Sequence, residues 1–309
     1  MFAPPPTGSP EAVYLALHRS GELTERADWA GQDLADCSMC ANQCHVDRGA
    51  APGLGRCRTG RQALVSSAGP HHGEEAPLSG RRGSGTIFFA GCNLSCAFCQ
   101  NWQISQQNQG RPVDDRQLAQ LMLDLQGAGC HNINFVSPSH VIPQILAALA
   151  LATAQGLTLP LVYNSGGYDS AAGLALLDGV IDIYMPDMKF ADSAIARRYL
   201  GVADYASVNR NAVREMHRQV GDLQLGSTGL ARRGLLVRHL VLPGKLAGTR
   251  DVLTFLAREV STETCLNLMD QYRPCYQADR FPELDRKPSL GEMRTARKIA
   301  TQLGLHRLV

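Results

Sequence analysis

The sequence lacks an apolar stretch long enough to cross a membrane. Its longest apolar run, residues 141–154, is interrupted by Pro143, Gln144 and Thr153. A membrane-spanning helix needs about 20 predominantly apolar residues, so this run is too short. Residues 1–6 also lack the basic start and the apolar core of a signal peptide. We therefore expect a cytoplasmic protein that has no membrane partner.

An excess of charge of one sign is missing as well. The 30 basic residues nearly balance the 28 acidic ones, so electrostatics argue against a nucleic-acid or membrane-surface partner. The sequence contains no low-complexity tract and no repeat beyond an alternation of strand and helix patterns. With 309 residues, the chain can still bury a large core.

From residue 85 onward, short β-rich apolar runs alternate with helical patterns. The predicted strands span residues 86–90, 132–137, 159–164, 181–185, 235–242 and 266–269. The predicted helices span residues 114–126, 142–155, 169–177, 193–220, 249–260 and 290–303. Six such units with short connections predict a parallel sheet covered by helices. Right-handed crossovers would curl this α/β sheet into a barrel or partial barrel.

Residues 1–65 do not join this alternation, which divides the chain into three parts. Residues 1–65 are predicted to form a helix around residues 10–22 and a small cysteine-rich appendage. Residues 66–84 are rich in glycine, proline, serine and charge, which predicts a connector. Residues 85–309 are predicted to form the partial barrel. Glu74 and Glu75 in the connector are interpreted as a solvated charge pair, with an active-site role as the alternative.

Seven of the ten cysteines fall into two tight groups, which indicates metal binding in a reducing compartment. Cys92, Cys96 and Cys99 follow the first predicted strand with CxxxCxxC spacing. A 4Fe–4S cluster usually takes four thiolates, so three ligands would leave one iron open for another molecule. A zinc site and three buried thiols are the alternatives, but a zinc site wants a fourth Cys or His nearby.

A second group, Cys37, Cys40, Cys44 and Cys57, supplies four thiols with two short spacings and a return cysteine. Four sulfur ligands suit either zinc or an iron–sulfur cluster, and the spacing does not separate the two. His45 is a spare ligand candidate whose ordinary interpretation is a loop histidine. We predict a second metal centre in this segment.

The loop at residues 91–101, GCNLSCAFCQN, resembles the radical S-adenosylmethionine (radical SAM) family. Phe98 fills the aromatic position of the family motif, CxxxCx-aromatic-C. The loop is most similar to activating enzymes of glycyl-radical enzymes, in particular homologues of the pyruvate formate-lyase activating enzyme. Residues 182–189, DIYMPDMK, and 237–244, VRHLVLPG, resemble two strand-end segments of the same activases. The likeness covers residues 85–305 approximately.

This resemblance implies that the CxxxCxxC cysteines hold a 4Fe–4S cluster whose open iron binds S-adenosylmethionine. An electron from a donor such as flavodoxin or ferredoxin would then yield a 5′-deoxyadenosyl radical that abstracts hydrogen from the substrate. The activase likeness implies an oxidoreductase that forms a glycyl radical on a partner protein. The alternatives are modification of a small molecule, a peptide or tRNA and, in another class, an iron–sulfur electron-transfer protein.

The resemblance also implies cofactor-binding residues at later strand ends. The Asp187 carboxylate and the Met185 carbonyl match ligands of a bound monovalent cation, and Asn164 stands where the activases carry an aspartate. Lys189 matches the lysine of the Asp-x-Lys segment, and Arg238 would hold the carboxylate or ribose of the cofactor. Ordinary ion pairs at the rim of the barrel are the alternative roles for these charged residues.

Two further positions are cofactor-binding candidates. Ser137 and Ser139, with His140 nearby, stand where the family usually carries a Gly-Gly-Glu-like segment that holds the methionyl amino group. Ser139 alternatively caps the following helix. Asn101, just past the cysteine loop, would approach the adenine or the methionyl part, or cap a helix.

Overall fold

A nine-stranded mixed sheet organises the protein, whose structure is a computed structural model that describes residues 11–50 and 53–309. Residues 1–6, examined above for a signal peptide, and Pro10, at the start of the predicted N-terminal helix, lie outside the described residues. The strands are β1 Ala63–His71, β2 Ser84–Phe89, β3 Arg111–Val113, β4 Ile133–Val136, β5 Leu161–Asn164, β6 Ile183–Tyr184, β7 Gln224–Leu225, β8 Ala231–Leu240 and β9 Cys265–Met269.

Six of these strands, β2-β4-β5-β6-β8-β9, lie side by side and are all parallel. Each of them overlaps one of the six predicted strands, although the bounds differ by up to four residues. β1 pairs antiparallel with β2, β3 with β1, and β7 with β8. Within the described residues no pairing joins the two ends of the sheet, so it does not close. The predicted α/β fold with a parallel sheet is confirmed, and of the two forms expected, a barrel or a partial barrel, the open sheet of the described residues excludes the closed one.

Eleven α-helices are described, and most of them connect the parallel strands. They are α1 Tyr14–Ser20, α2 Glu22–Asp33, α3 Ala76–Ser79, α4 Trp102–Gln107, α5 Asp115–Gly127, α6 Ile142–Ala154, α7 Ala171–Leu177, α8 Ser193–Leu200, α9 Tyr205–Val220, α10 Thr249–Phe255 and α11 Leu290–Gln302. The helix predicted over residues 193–220 is two helices, because Gly201 takes φ 72° and ends α8. None of the described helices is long and apolar enough to cross a membrane.

The N-terminal helices pack on the same core as the sheet. The buried carboxylate of Asp182 accepts hydrogen bonds from the backbone N–H of Val13 and of Leu161, at 2.9 and 2.8 Å. The Tyr14 hydroxyl donates to the Leu159 carbonyl at 3.0 Å. β1 runs across the predicted boundary between residues 65 and 66. The division into three parts remains a prediction.

Candidate active site

The loop after β2 carries Cys92, Cys96 and Cys99 at the edge where the parallel strands end. Cys96 is buried and the other two are half-buried. The backbone N–H groups of Ser95 and Ala97 donate to carbonyls at the end of α8, at 3.1 and 2.8 Å, which fixes the middle of the loop. Burial raises the pKa of Cys92 to about 11, and the neighbouring Cys99 adds to this effect.

Phe98, the aromatic residue of the motif, packs beneath the loop and helps to hold it in place. The Phe98 ring makes edge contacts with Phe190 and Tyr272, with ring centroids 5.9 and 5.8 Å apart. The Tyr272 hydroxyl donates to the carbonyl of Leu284 at 2.7 Å. Aromatic edge contacts of this kind add to simple burial. The requirement for an aromatic residue is therefore explained by packing beneath the cysteines.

A buried ion pair lies beside these thiols. Lys189 and Asp187 follow β6, and their side chains, which pair with each other, are 17% and 21% exposed. Burial alone would lower the pKa of Lys189, but the Asp187 carboxylate and the Cys96 sulfur outweigh burial and raise it. Burial raises the pKa of Cys96, and the positive charge of Lys189 acts against that effect. A nearby cation favours the thiolate form, so Lys189 acts in that direction on Cys96, whereas the Asp187 carboxylate acts against it.

The donor set of this loop fits a 4Fe–4S cluster. The Leu94 N–H points at the Cys92 sulfur at 3.4 Å, and the Ser105 hydroxyl lies 3.1 Å from the Cys99 sulfur. Hydrogen bonds to sulfur are one way in which proteins tune such clusters. Across residues 11–50 and 53–309, no three His, Cys, Asp or Glu side chains converge as ligands of one metal ion. A cluster instead takes each thiolate on a separate iron.

Arg238 lies at the edge where the strands end, but it is bonded to the connector. Its Nε donates to Glu75 at 2.7 Å, and one of its terminal nitrogens contacts both Glu74 and Glu75. The other terminal nitrogen lies 3.4 Å from the Asn164 side chain. The Asn267 amide donates to the same Glu75 oxygen at 2.7 Å. The structure thus brings Arg238 and Asn164 together, and their role in cofactor binding remains a prediction.

The interpretation of the connector glutamates as a solvated pair is wrong. Their side chains are only 6% and 3% exposed, for Glu74 and Glu75 respectively. Burial alone would raise the pKa of Glu75, but the hydrogen bonds and charge of Arg238, with the Asn267 amide, lower it. The physical reason is that a fixed guanidinium inside the sheet compensates the burial of both carboxylates.

The segment after β4 enters the fold rather than solvent. Ser137 takes the left-handed conformation, φ 60°, and Ser139 is buried close to the Asp169 carboxylate. Burial raises the pKa of that carboxylate, and the Ser139 hydroxyl acts to lower it. His140 is buried and its Nε2 lies 3.1 Å from the Ala90 carbonyl. Burial lowers the pKa of His140 to about 3, so this imidazole is neutral. The roles of both serines in holding the methionyl amino group remain predictions.

Asn101 is exposed and stands at the N-cap position of α4 without a side-chain cap bond. Its carbonyl accepts a hydrogen bond from the Ser105 N–H at 2.9 Å. The neighbouring Trp102 ring stacks on Tyr276, with centroids 5.5 Å apart. The side chain of Asn101 is therefore available to a ligand, and its contact with the cofactor stays a prediction.

The N-terminal cysteines meet in one pocket. Cys37, Cys40, Cys44 and Cys57 line it together with Arg48 and His140. His45 does not: its ring is exposed and lies 3.2 Å from the Asp36 carboxylate. Sequence reasoning missed Arg48 altogether, and it placed His140 near the proposed cofactor-binding serines rather than at this pocket. The only signals in the sequence are the place of Arg48 between the cysteines and the place of His140 directly after a predicted strand.

A match to a known family supports a cluster-binding role for the loop of Cys92, Cys96 and Cys99, which is called the cluster loop below. Residues 79–160, which contain all three cysteines of the loop, match the family described as 4Fe-4S single cluster domain. Among solved structures, the chain resembles Streptococcus suis SuiB bound to precursor peptide SuiA, with a TM-score of 0.47 and 10% identity over 69% of this chain and 43% of that one. It also resembles TYW1 with a lysine-pyruvate adduct bound, with a TM-score of 0.44 and 12% identity over 70% and 73% of the two chains.

A third similar structure is a radical SAM methyltransferase from Sphaerobacter thermophilus, with a TM-score of 0.45 and 14% identity over 72% of this chain and 65% of that one. Similarity in sequence is much higher to a protein of Methanocaldococcus jannaschii, called Uncharacterized protein MJ0674. The two are 30% identical over 291 residues, which cover 92% of this chain and 79% of the relative. Such similarity over nearly the full length shows common descent, and the chain belongs to the family of this archaeal protein.

Proposed function

We propose that the chain is a radical SAM enzyme. The observation that carries the proposal is the loop after β2, where three thiols lie beside the buried cation of Lys189 at the edge where the strands end. The match of residues 79–160 to a 4Fe-4S single cluster domain supports it. When bound by Cys92, Cys96 and Cys99, the cluster would supply the single electron needed for reductive cleavage of S-adenosylmethionine.

The chain's own residues bind and orient the cofactor. Cys92, Cys96 and Cys99 hold the cluster, and Lys189 compensates part of its negative charge. Asp187 keeps Lys189 charged inside the fold, because the two form a buried pair. Groups at the ends of parallel strands are the usual place for such work in barrel-like folds. A monovalent cation bound by Asp187 belongs to the same proposal.

We propose an activase-like role as the first specific function, in which a glycine of a partner protein loses a hydrogen atom. The support is the likeness of the cysteine loop and of the two strand-end segments to glycyl-radical activases. A glycyl doublet in electron paramagnetic resonance on a candidate glycyl-radical enzyme, formed only with this protein and S-adenosylmethionine, is the expected result. Hydrogen loss from a small molecule, a peptide or tRNA, without that doublet, would replace the activase role.

The radical SAM assignment is tested by reduction of the anaerobic, cluster-loaded protein with dithionite in the presence of S-adenosylmethionine. We expect 5′-deoxyadenosine from the wild type and none from Cys96→Ala, which should also lose iron. Cys130→Ala is the matched control, since Cys130 is buried but lies outside both cysteine groups. Cleavage that survives in Cys96→Ala would show that the wrong loop holds the cluster. A fully loaded wild type that forms no 5′-deoxyadenosine would indicate an electron carrier.

A further inference from the structure

The four-cysteine pocket, formed by Cys37, Cys40, Cys44 and Cys57, has a fixed backbone. The Cys37 N–H donates to the Val46 carbonyl and the His45 N–H to the Cys37 carbonyl, both at 3.0 Å. The Gln43 N–H closes a turn on the Cys40 carbonyl, also at 3.0 Å. Gln43 and His45 both have positive φ, 40° and 50°, a conformation that costs energy for residues other than glycine. The surroundings hold this turn so that the thiols face one space.

N–H donors point at three of the four sulfurs. The Arg56 backbone N–H lies 3.5 Å from the Cys44 sulfur, and the Asn42 amide lies 3.8 Å from the Cys40 sulfur. The third donor is a guanidinium N–H, 3.7 Å from the Cys37 sulfur. Donors of this kind stabilise a sulfur that carries negative charge. The pocket is therefore built for thiolates.

The guanidinium in question, that of Arg48, is 2% exposed. Its other hydrogen bonds reach the carbonyls of Thr59, Gly60 and His140, at 3.0, 3.0 and 2.7 Å. All of these acceptors are neutral, yet a buried charge is costly unless an opposite charge compensates it. Four thiolates around a metal centre carry a net negative charge and would provide this compensation.

His140 adds a further polar group to the pocket. Its Nε2 is engaged by the Ala90 carbonyl, whereas its buried Nδ1 makes no well-aligned hydrogen bond, although the Ser137 backbone lies beside it. A buried polar atom without an aligned partner leaves a place for a water, an ion or another group beside it. His140 lines the same pocket as the four thiols.

The pocket directly adjoins the cluster loop. A Cβ on Gly91, which has φ +82° and precedes Cys92, would lie 2.7 Å from the carbonyl of Cys57. The Asn42 amide, which also faces Cys40, donates to the carbonyl of Asn93 at 2.7 Å. The chain thus has glycine where the two cysteine segments touch, and one side chain spans both.

We propose that the four-cysteine pocket binds an iron–sulfur cluster, charge-compensated by Arg48, that passes single electrons to the cluster of the adjoining loop. A one-electron carrier protein is oxidised as it reduces the pocket cluster, which is then reoxidised by the loop cluster, and no bond forms or breaks. The receiving half of this route rests on the proposed function. Zinc has no redox chemistry, and within the described residues no three ligand side chains converge on a single metal ion, so zinc suits neither the electron route nor the spacing of the thiols.

Metal analysis of anaerobically reconstituted full-length protein tests the pocket. In Cys37→Ala/Cys57→Ala we expect a loss of about four irons per chain, while Cys130→Ala/Cys265→Ala, with two buried cysteines outside both groups, keeps the wild-type iron content. If the first variant does not fold, the variant with all three loop cysteines replaced by alanine decides. Iron and sulfide retained there support the pocket cluster, and their complete loss overturns it.

Two further results would overturn the inference. Zinc that is present in the wild type and lost in Cys37→Ala/Cys57→Ala would make the pocket a zinc site, and unchanged metal content would remove the site altogether.

Arg48→Met should shift the midpoint potential of the pocket cluster to more negative values, and Arg48→Lys should restore it. If the loop cluster fails to cleave S-adenosylmethionine, the proposed function is wrong. The iron content of the pocket would be unaffected by that failure, so the two proposals can be told apart.

Discussion

Replacement of Arg238 by methionine tests how this arginine acts in the fold. Its side chain is 16% exposed, while the Glu74 and Glu75 side chains that it contacts are 6% and 3% exposed. In Arg238→Met both carboxylates stay buried and lose their cation. Removal of one partner from a buried ion pair costs about 3–5 kcal/mol, and we expect the unfolding free energy to fall by that amount.

Arg218→Met is the matched control. Arg218 also bridges two carboxylates, those of Asp178 and Glu215, but its side chain is 59% exposed. Exposed ion pairs contribute about 0–1 kcal/mol, so this variant should remain close to the wild type. Urea unfolding of the anaerobically reconstituted proteins at pH 7, followed by circular dichroism, measures both losses. Equal losses in the two variants would refute the reasoning.

The pH dependence of the Arg238→Met effect gives a second check. Although burial acts to raise it, the folded-state pKa of Glu75 is lowered by Arg238. The stability that the Glu75–Arg238 pair contributes is therefore fully present above the unfolded-state pKa of glutamate, about 4.3. It is lost as pH falls through the folded-state pKa. In the variant, burial without the cation raises the pKa of Glu75, so ionisation then opposes folding. The stability gap between wild type and variant should therefore be wider at pH 7 than at pH 4.5. A gap that does not depend on pH would contradict this account.

Three other positions give separate predictions. Gly91→Ala places a Cβ 2.7 Å from the Cys57 carbonyl, so the iron content of the protein should fall. Gly221→Ala, also at positive φ but with open space around the Cβ, should keep the wild-type iron content. Equal iron contents in the two variants contradict this prediction. Asn134→Leu removes a buried amide that has no hydrogen-bond partner among the described residues, so urea unfolding should show a gain of about 1–3 kcal/mol, and a loss contradicts it. Burial raises the pKa of Asp182 to about 7. As pH rises, the folded state therefore keeps this proton longer than the unfolded state, and the unfolding free energy falls between about pH 4 and pH 7. Asp182→Asn should flatten this fall, and an unchanged slope contradicts it.

The parallel strands were predictable because each is buried on both faces and reads as a short apolar run between helical patterns. β5 and β6, for example, consist of buried residues throughout. The cysteine loop was predictable for a different reason, since all three thiols lie within eight residues of one another along the chain. Local patterns of this kind depend on neighbours in sequence, and they leave a clear trace there.

The contacts that bring the site together leave no such trace. Glu75 and Arg238 are 163 positions apart in the chain, and the partners Arg48 and His140 are 92 apart. A buried glutamate in a segment rich in glycine and proline looks like a solvated one until the opposite charge is known. Composition alone therefore gave the wrong environment for the connector carboxylates, because their burial depends on an arginine from a distant strand.

The connector is also part of the interior of the sheet. Leu78 of α3 packs in a buried cluster with Leu236 and Cys265, which are paired residues of β8 and β9. Glu75, three residues earlier, bonds to Arg238 and Asn267, the paired residues two positions further along the same strands.

The chain around α3 therefore runs against the direction of the strands, with its acidic start toward their C-terminal ends. A backbone β-bridge joins Asp187 to Arg238 at that same level. Lys189, two residues after Asp187, lies close enough to Cys96 of the cysteine loop for the two charges to interact. The connector thus packs against the sheet beneath the loop of Cys92, Cys96 and Cys99. Burial alone would lower the pKa of Arg238, but the two connector carboxylates act together with Asp187 to raise it. A substitution in this connector should therefore affect the cluster loop through the charge pairs at the strand ends, even though the connector carries none of the cysteines.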